Sequence, residues 1–300
     1  MSSNHRKTVL ITGASTGLGL AISKTLIETD KFHVILTARE SSIVRFKNEG
    51  ISESEYVWIR PLEIKNLVQD KCLICEIDAK LNGVDVLINN AGFFTRAVLE
   101  HVKESERLEQ MHVNFRFPLE LIRLVLPKMR EKQFGRIINI SSVLGMMAMP
   151  TMAIYNASKF ALEGASESLW YEVRPWNISV TLFQPGFINS SGFQKVKMTG
   201  LSEKSYHDKS APYHKHYRSI VPLIEKLMRR TPTTPDKLAK KILKIIESKN
   251  PPLRVSGSFD ATFFTLLRRL LPRGLYHFVL YHTLPNIREW GPENKINPDL

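Results

Sequence analysis

The sequence predicts an α/β fold, a parallel sheet with helices on both faces. Three observations carry that prediction. Short, continuously apolar runs recur through the first two thirds of the chain, as strands buried on both faces require. Long helical patterns separate these runs, so strand and helix alternate. A glycine-rich turn follows the first run and opens the first helix.

The elements read in order as follows. Residues 8–12 form the first apolar run, residues 13–19 the glycine turn, and a helical pattern continues to about Thr29. Further runs occupy 33–37, 56–62, 84–88, 136–140 and 178–183, with long helical patterns over 105–131 and 151–173. After Pro185-Gly186 the pattern changes. Residues 187–220 are polar and rich in Ser, Lys and His, and read as a loop region with short helices. Residues 235–248 form a helix with Pro235 in its first turn, where a missing N–H costs nothing. Residues 253–257 read as a last strand, and 259–285 are aromatic and apolar with interspersed arginine. No repeat or low-complexity linker divides the chain. The organisation expected is one domain over 1–257, with a loop region inserted at 187–234, and a C-terminal appendage over 258–300.

Composition excludes several classes. Of 300 residues, 24% are charged and 43% hydrophobic, which suits a packed globular chain rather than a disordered one. No apolar run reaches the ~18 residues of a membrane span. Two cysteines cannot staple a chain of this size. The polar start lacks the apolar core of a secretion signal, so a cytoplasmic setting is expected. Net charge is 42 − 29 = +13. Residues 1–190 hold 22 basic and 20 acidic residues, and 191–300 hold 20 and 9, so the excess lies in the last third. Such a field attracts anions: nucleic acid, anionic lipid or phosphorylated molecules.

The turn Thr12-Gly13-Ala14-Ser15-Thr16-Gly17-Leu18-Gly19 has the context of a dinucleotide cradle. Its glycines let a pyrophosphate approach the backbone, and the following helix offers it free N–H groups. The spacing Gly-x-x-x-Gly-x-Gly resembles the short-chain dehydrogenase/reductase family. Asn89-Asn90-Ala91-Gly92, the Tyr-x-x-x-Lys of Tyr155 to Lys159, and Pro185-Gly186 match three further motifs of that family in order. The resemblance is dense over 1–190 and looser over 235–257. It implies a single Rossmann-type, doubly wound domain with a seven-stranded parallel sheet, the last strand being 253–257. It places cofactor contacts at Gly13, Ser15, Thr16, Gly17, Leu18, Gly19, Arg39, Glu63, Ile64, Asn90, Ala91, Gly92, Tyr155, Lys159, Pro185, Gly186 and Ile188.

Tyr155 and Lys159, four apart, share one helix face. A neighbouring ammonium stabilises phenolate, which would lower the tyrosine pKa and make Tyr155 a general acid or base. The resemblance adds Ser142, thirteen positions before the tyrosine, to hold the substrate oxygen, and Asn114 to hold a water beside the lysine. The expected tetrad is therefore Asn114, Ser142, Tyr155 and Lys159. The chemistry that the resemblance implies is hydride transfer between nicotinamide and a carbonyl or alcohol.

The second strand ends Leu36-Thr37-Ala38-Arg39, with arginine instead of the acidic residue that would hold the ribose of NAD. Arg39 therefore points to NADP(H) rather than NAD(H), with Glu40 one residue later as the dissenting feature. Glu63 stands where the family has an aspartate at the adenine. The stretch 155–168 and Pro251-Pro252-Leu253-Arg254 resemble the branch of 17β-hydroxysteroid dehydrogenase type 1 and the retinol dehydrogenases. That branch implies a lipophilic substrate, such as a steroid, a retinoid or a long-chain keto lipid, in a pocket shaped by 187–220 and 259–285. A homodimer or homotetramer is expected.

Other features read more plainly. Cys72 and Cys75 lack the second ligand pair of a zinc site, so no metal is expected, and helix packing is their reading. His207, His214 and His216 lie near the expected pocket, on what reads as a mobile polar loop. The apolar and arginine residues of 259–285 suit contact with an anionic membrane surface or packing on the domain. Two alternatives compete. A non-catalytic NADP-binding sensor or scaffold need not keep Tyr155 and Lys159. A nucleic-acid binder lacks any recognition motif here.

Overall fold

The computed structural model describes residues 6–64, 67–190 and 197–291. Strand β1 (Lys7–Ile11) leads through α1 (Gly17–Thr29) to β2 (Phe32–Ala38), α2 (Val44–Asn48), β3 (Val57–Pro61), α3 (Leu67–Leu81) and β4 (Val86–Asn89). A short strand β5 (Thr95–Arg96) precedes α4 (Glu104–Met111), α5 (Phe117–Glu131) and β6 (Gly135–Ile140). Then come α6 (Ala153–Val173), β7 (Ile178–Gln184), β8 (Lys197–Met198), α7 (Gly200–His207) and α8 (His214–Arg230). The chain continues with α9 (Pro235–Glu247), β9 (Arg254–Ser256), α10 (Phe259–Leu270) and α11 (Arg273–Thr283).

Seven strands form one sheet in the order β3-β2-β1-β4-β6-β7-β9, and every pairing is parallel. The strand order turns back between β1 and β4. In such sheets a crevice opens beyond the carboxyl ends of the strands at that point. Alternate side chains serve opposite faces. Val9, Ile11, Val34, Leu36 and Ile88 pack with α1 and α9, while Leu10, Ile35, Leu87 and Ile137 pack with α3, α5 and α6. Both faces are therefore core, which is why the strands read as continuous apolar runs. Residues 253–257 do supply the seventh strand, β9.

Three expectations need correction. The pattern over 105–131 is not one helix. It breaks at His112–Arg116 into a π-helical stretch, and Pro118 opens α5 beyond it. Within the described part of 187–220 the second helix is not short. That part contains α7 and the first turns of the 17-residue α8, whose Tyr217, Ile220, Val221, Ile224 and Met228 are buried on one stripe. Lysine, histidine and arginine on the other faces, with Pro222 inside, masked that stripe. The cysteines do not pack: Cys72 and Cys75 are free and exposed on α3.

The tail folds back over the carboxyl end of the sheet. Ala261, Phe264, Leu267 and Tyr276 pack on Val143, Leu144, Met147 and Met152. Its opposite face leaves Phe259, Phe263, Leu266, Leu270 and Phe278 exposed. Among the described residues no helix is long and apolar enough to cross a membrane.

Candidate active site

The loops after β1, β2, β4, β6 and β7 converge on a cavity of about 1330 Å³. The glycine turn forms one wall. Gly13 lies at φ +63°, and a Cβ there would come within 2.9 Å of Ala91 Cα. A Cβ on Gly19 would collide with the Gly13 carbonyl and the Asn90 amide. Asn90 fixes this packing, its Nδ2 donating to the carbonyls of Thr12 (3.0 Å) and Gly13 (3.1 Å). Thr12 Oγ1 accepts from the Asn90 and Ala91 amides, both at 3.0 Å. Helix α1 then begins with no side-chain cap and no acidic residue in its first turn. Its free N–H groups and positive dipole end face the cavity, and a bare, uncapped helix start beside close-packed glycines fits a pyrophosphate.

The opposite wall carries the chemistry. Tyr155 and Lys159 lie on α6, and both line the cavity together with Ser142. The Ser142 hydroxyl accepts from Leu144 N at 3.1 Å and sits against the Tyr155 hydroxyl, where it favours the phenolate. Lys159 Nζ donates to the Ile140 carbonyl at 2.8 Å, at the end of β6. Burial pushes the Tyr155 phenol up to about 12 and the Lys159 ammonium down to about 8. The expected lowering of Tyr155 is thus absent from the protein alone: burial outweighs the hydrogen bond from Ser142. Glu163, one turn beyond Lys159 and itself buried, pulls the lysine back toward its charged form. Gln184 and Arg254 hold that carboxylate at 2.9 and 3.2 Å.

A tyrosine, a lysine and a serine thus face a glycine cradle across one cavity. The sequence model of the short chain dehydrogenase family matches residues 7–199. The chain belongs to this family. A 3-ketodihydrosphingosine reductase of Bacteroides thetaiotaomicron is 35% identical over 274 residues, which cover 91% of this chain and 96% of the relative. Retinol dehydrogenase 8 of Bos taurus is 28% identical and covers 93% and 90%. A short-chain dehydrogenase structure from Streptomyces avermitilis superposes with a TM-score of 0.76 at 27% identity, covering 95% and 96%. The chain is thus a short-chain dehydrogenase that resembles the retinol dehydrogenase branch.

All the residues assigned to the cofactor from sequence line this one cavity, from Gly13, Ser15, Thr16, Gly17, Leu18 and Gly19 to Pro185, Gly186 and Ile188. So do Arg39, Glu63, Ile64, Asn90, Ala91 and Gly92. Glu40, the dissenting feature, does not. Its amide donates to Glu63 Oε1 at 3.0 Å.

Asn114 sits just behind the cavity wall. It is buried in the π-helical stretch, where its Nδ2 donates to Phe93 O (2.8 Å) and Ser158 Oγ (3.1 Å), and its Oδ1 accepts from Phe93 N (3.0 Å). Its side-chain amide ties the loop after β4 to α6 and stands outside the cavity lining. The Ser141 hydroxyl has no hydrogen-bond partner among the described residues, although its backbone N–H extends the sheet to Phe183. His207, His214 and His216 ride on α7 and at the start of α8, and none lines the cavity.

Sequence reading missed several members of the site. Arg45, on α2, joins Arg39 at the cavity wall. Ser258 and Asp260 anchor the start of α10 to the site, accepting from Gly186 N at 2.9 Å and Phe187 N at 2.8 Å. Met147, Met149, Phe187, Leu223, Phe264 and Leu280 make the remaining wall largely apolar. Only the fold brings residues so far apart in the chain together.

Proposed function

We propose that this short-chain dehydrogenase interconverts a ketone and a secondary alcohol, or an aldehyde and a primary alcohol, on a lipophilic substrate, with NADP(H) as cofactor. The observation that carries the reading is a single cavity: the glycine cradle, the pair Tyr155 and Lys159, and an apolar wall share it. Arg39 just after β2 and Arg45 on α2, with no acidic residue lining that part of the wall apart from Glu63, support the 2′-phosphate of NADP(H). A metagenomic relative with 30% identity, covering 61% of this chain at a TM-score of 0.56, is described in complex with NADP.

NADPH, when bound, supplies the hydride. Ser142 donates a hydrogen bond to the substrate oxygen as negative charge develops on it. Tyr155 transfers its phenolic proton to that oxygen. The protonated Lys159 steadies the phenolate that remains. Tyr155 is held as a neutral acid until the oxygen becomes basic, consistent with its raised pKa of about 12. Asn114 holds the loop that bears Phe93 against α6 and so fixes the distance between the cofactor and proton-donor walls. The apolar wall of methionine, phenylalanine and leucine buries the body of the substrate, and flexible methionines adapt to its shape.

NADPH consumption should be followed over steroid, retinoid and long-chain 3-keto lipid panels, with wild type and Tyr155→Phe. Turnover of a lipophilic carbonyl by wild type, reduced at least about tenfold in the variant with NADPH affinity retained, is the expected result. Tight NADPH binding without turnover of any carbonyl would instead establish the non-catalytic binder.

A further inference from the structure

Arg96 is one of the largest fully buried side chains of the protein, 1% exposed. It lies on β5, paired with Met198 of β8, and it lines the active-site cavity two residues beyond Phe94. The Phe94 ring in turn sits 5.7 Å from the Tyr155 ring. Arg96 is therefore on the substrate side of the cavity. Its Nε and Nη1 have no hydrogen-bond partner among the described residues. No described carboxylate forms an ion pair with it. Glu225 of α8 acts on it through space, and Glu109 of α4 and Lys197 of β8 share the cavity wall.

A guanidinium carries five donors in a fixed fork and is almost never buried without a partner. Burial lowers the Arg96 pKa only to about 10, so the charge persists at neutral pH. A buried cation with idle donors in a substrate cavity is a group that awaits an anion.

From this we infer that the substrate is a lipophilic carbonyl compound bearing a carboxylate, which Arg96 binds as the apolar wall buries its chain. The inference rests on the carbonyl-reductase reading above and narrows its substrate class. A carboxylate matches the two-pronged edge of the fork. The donors left without a protein partner are those of Arg96, so the anion is drawn to the guanidinium itself. An ammonium beside that unpaired guanidinium would be repelled, so an ammonium-bearing lipid such as a long-chain amino ketone is disfavoured.

The test compares NADPH-dependent reduction of long-chain keto acids, their methyl esters and a long-chain amino ketone, by wild type and by Arg96→Met. Binding without turnover is read separately. Octanoate, laurate and palmitate, each beside the alcohol of equal length, are scored by the thermal shift they give in the presence of NADP+. Wild type should favour acid over ester by at least about tenfold in kcat/KM, through KM, the scale of one charged hydrogen bond. The amino ketone should be the poorest substrate. Arg96→Met should lose the preference, keep its NADPH affinity, and show no added thermal shift with acid over alcohol. Without ligand, the variant should melt no lower than wild type, because it removes an uncompensated charge. Equal use of acid and ester by wild type, or a preference that survives in Arg96→Met, overturns the inference and leaves the carbonyl-reductase reading standing. An acid-specific thermal shift without any reduction supports the arginine site and sinks the reductase reading instead. If Arg96→Met does not fold, Arg96→Gln and the wild-type comparison decide.

Discussion

Lys159 meets two opposed influences. Burial discharges it, and Glu163 one helical turn away recharges it, leaving a pKa of about 8 in place of 10.5. Below that value Lys159 carries the proton that steadies a Tyr155 phenolate, and above it that support is lost. Carbonyl reduction should therefore decline as pH rises through about 8. Glu163→Gln removes the recharging influence and should move the decline to lower pH, read from the pH dependence of kcat. An unmoved profile would separate Glu163 from the lysine. A second residue-scale prediction concerns Arg39 and Arg45. Arg39→Asp should weaken NADPH by about 1.5–3 kcal/mol, the worth of a charge-assisted contact, while NADH binding holds or improves. Arg45→Ala should act in the same direction. Titration of both cofactors measures this, and an unaltered NADPH affinity in each variant would remove the arginines from the phosphate site.

At the scale of elements, the glycine turn works because two segments interlock. A Cβ on Gly19 meets both the Gly13 carbonyl and the Asn90 amide that braces the turn. Gly19→Ala must therefore push the α1 start away from the loop after β4. Overpacking of this kind costs about 1–3 kcal/mol, and the displaced N–H groups should lose NADPH affinity as well. Denaturant unfolding and cofactor titration of the variant read the two effects separately. Wild-type stability in Gly19→Ala would show that the turn has slack. The π-helical stretch His112–Arg116 plays a comparable part from the other side, since it places Asn114 against Phe93 and Ser158. The end of β7 is braced by the tail, through Ser258 and Asp260.

On the molecular scale, α10 and α11 show two faces. One closes the cavity with Phe264 and Leu280. The other exposes Phe259, Phe263, Leu270 and Phe278 beside Arg268, Arg269 and Arg273. Exposed aromatic side chains interleaved with arginine are the composition of a surface that lies on anionic lipid. We propose peripheral contact there, which would bring the cavity mouth to dissolved lipid. The protein should sediment with anionic vesicles, less so at high salt, because screening shortens the attraction. Changing Phe259, Phe263 and Phe278 to serine should abolish sedimentation while NADPH binding persists. These substitutions are a cleaner test than deleting the tail, since deletion would also remove Ser258 or Asp260 contacts and bare the cluster around Met147. Vesicle-independent behaviour, with a subunit count that changes in the serine variant, would assign this face to a second copy of the chain.

Local chemistry was legible in the sequence. Continuous apolar runs announced strands buried on both faces, and glycine spacing announced the cradle, because backbone sterics act within a few residues. The i, i+4 spacing of Tyr155 and Lys159 was equally local, so their meeting in one cavity was foreseeable. What depended on the whole molecule was not. Whether Tyr155 is raised or lowered depends on the balance between burial and its neighbours, and burial belongs to the packed state. The amide of Asn114 was claimed by Phe93 and Ser158, which no spacing reveals. Helix α8 hid its apolar stripe among basic residues until Met149, Phe187 and the tail residues Leu284 and Trp290 gave it something to cover. Arg96 belongs to no motif of the sequence; the pairing of β5 with β8 buries its charge at the cavity, where Nε and Nη1 find no hydrogen-bond partner among the described residues.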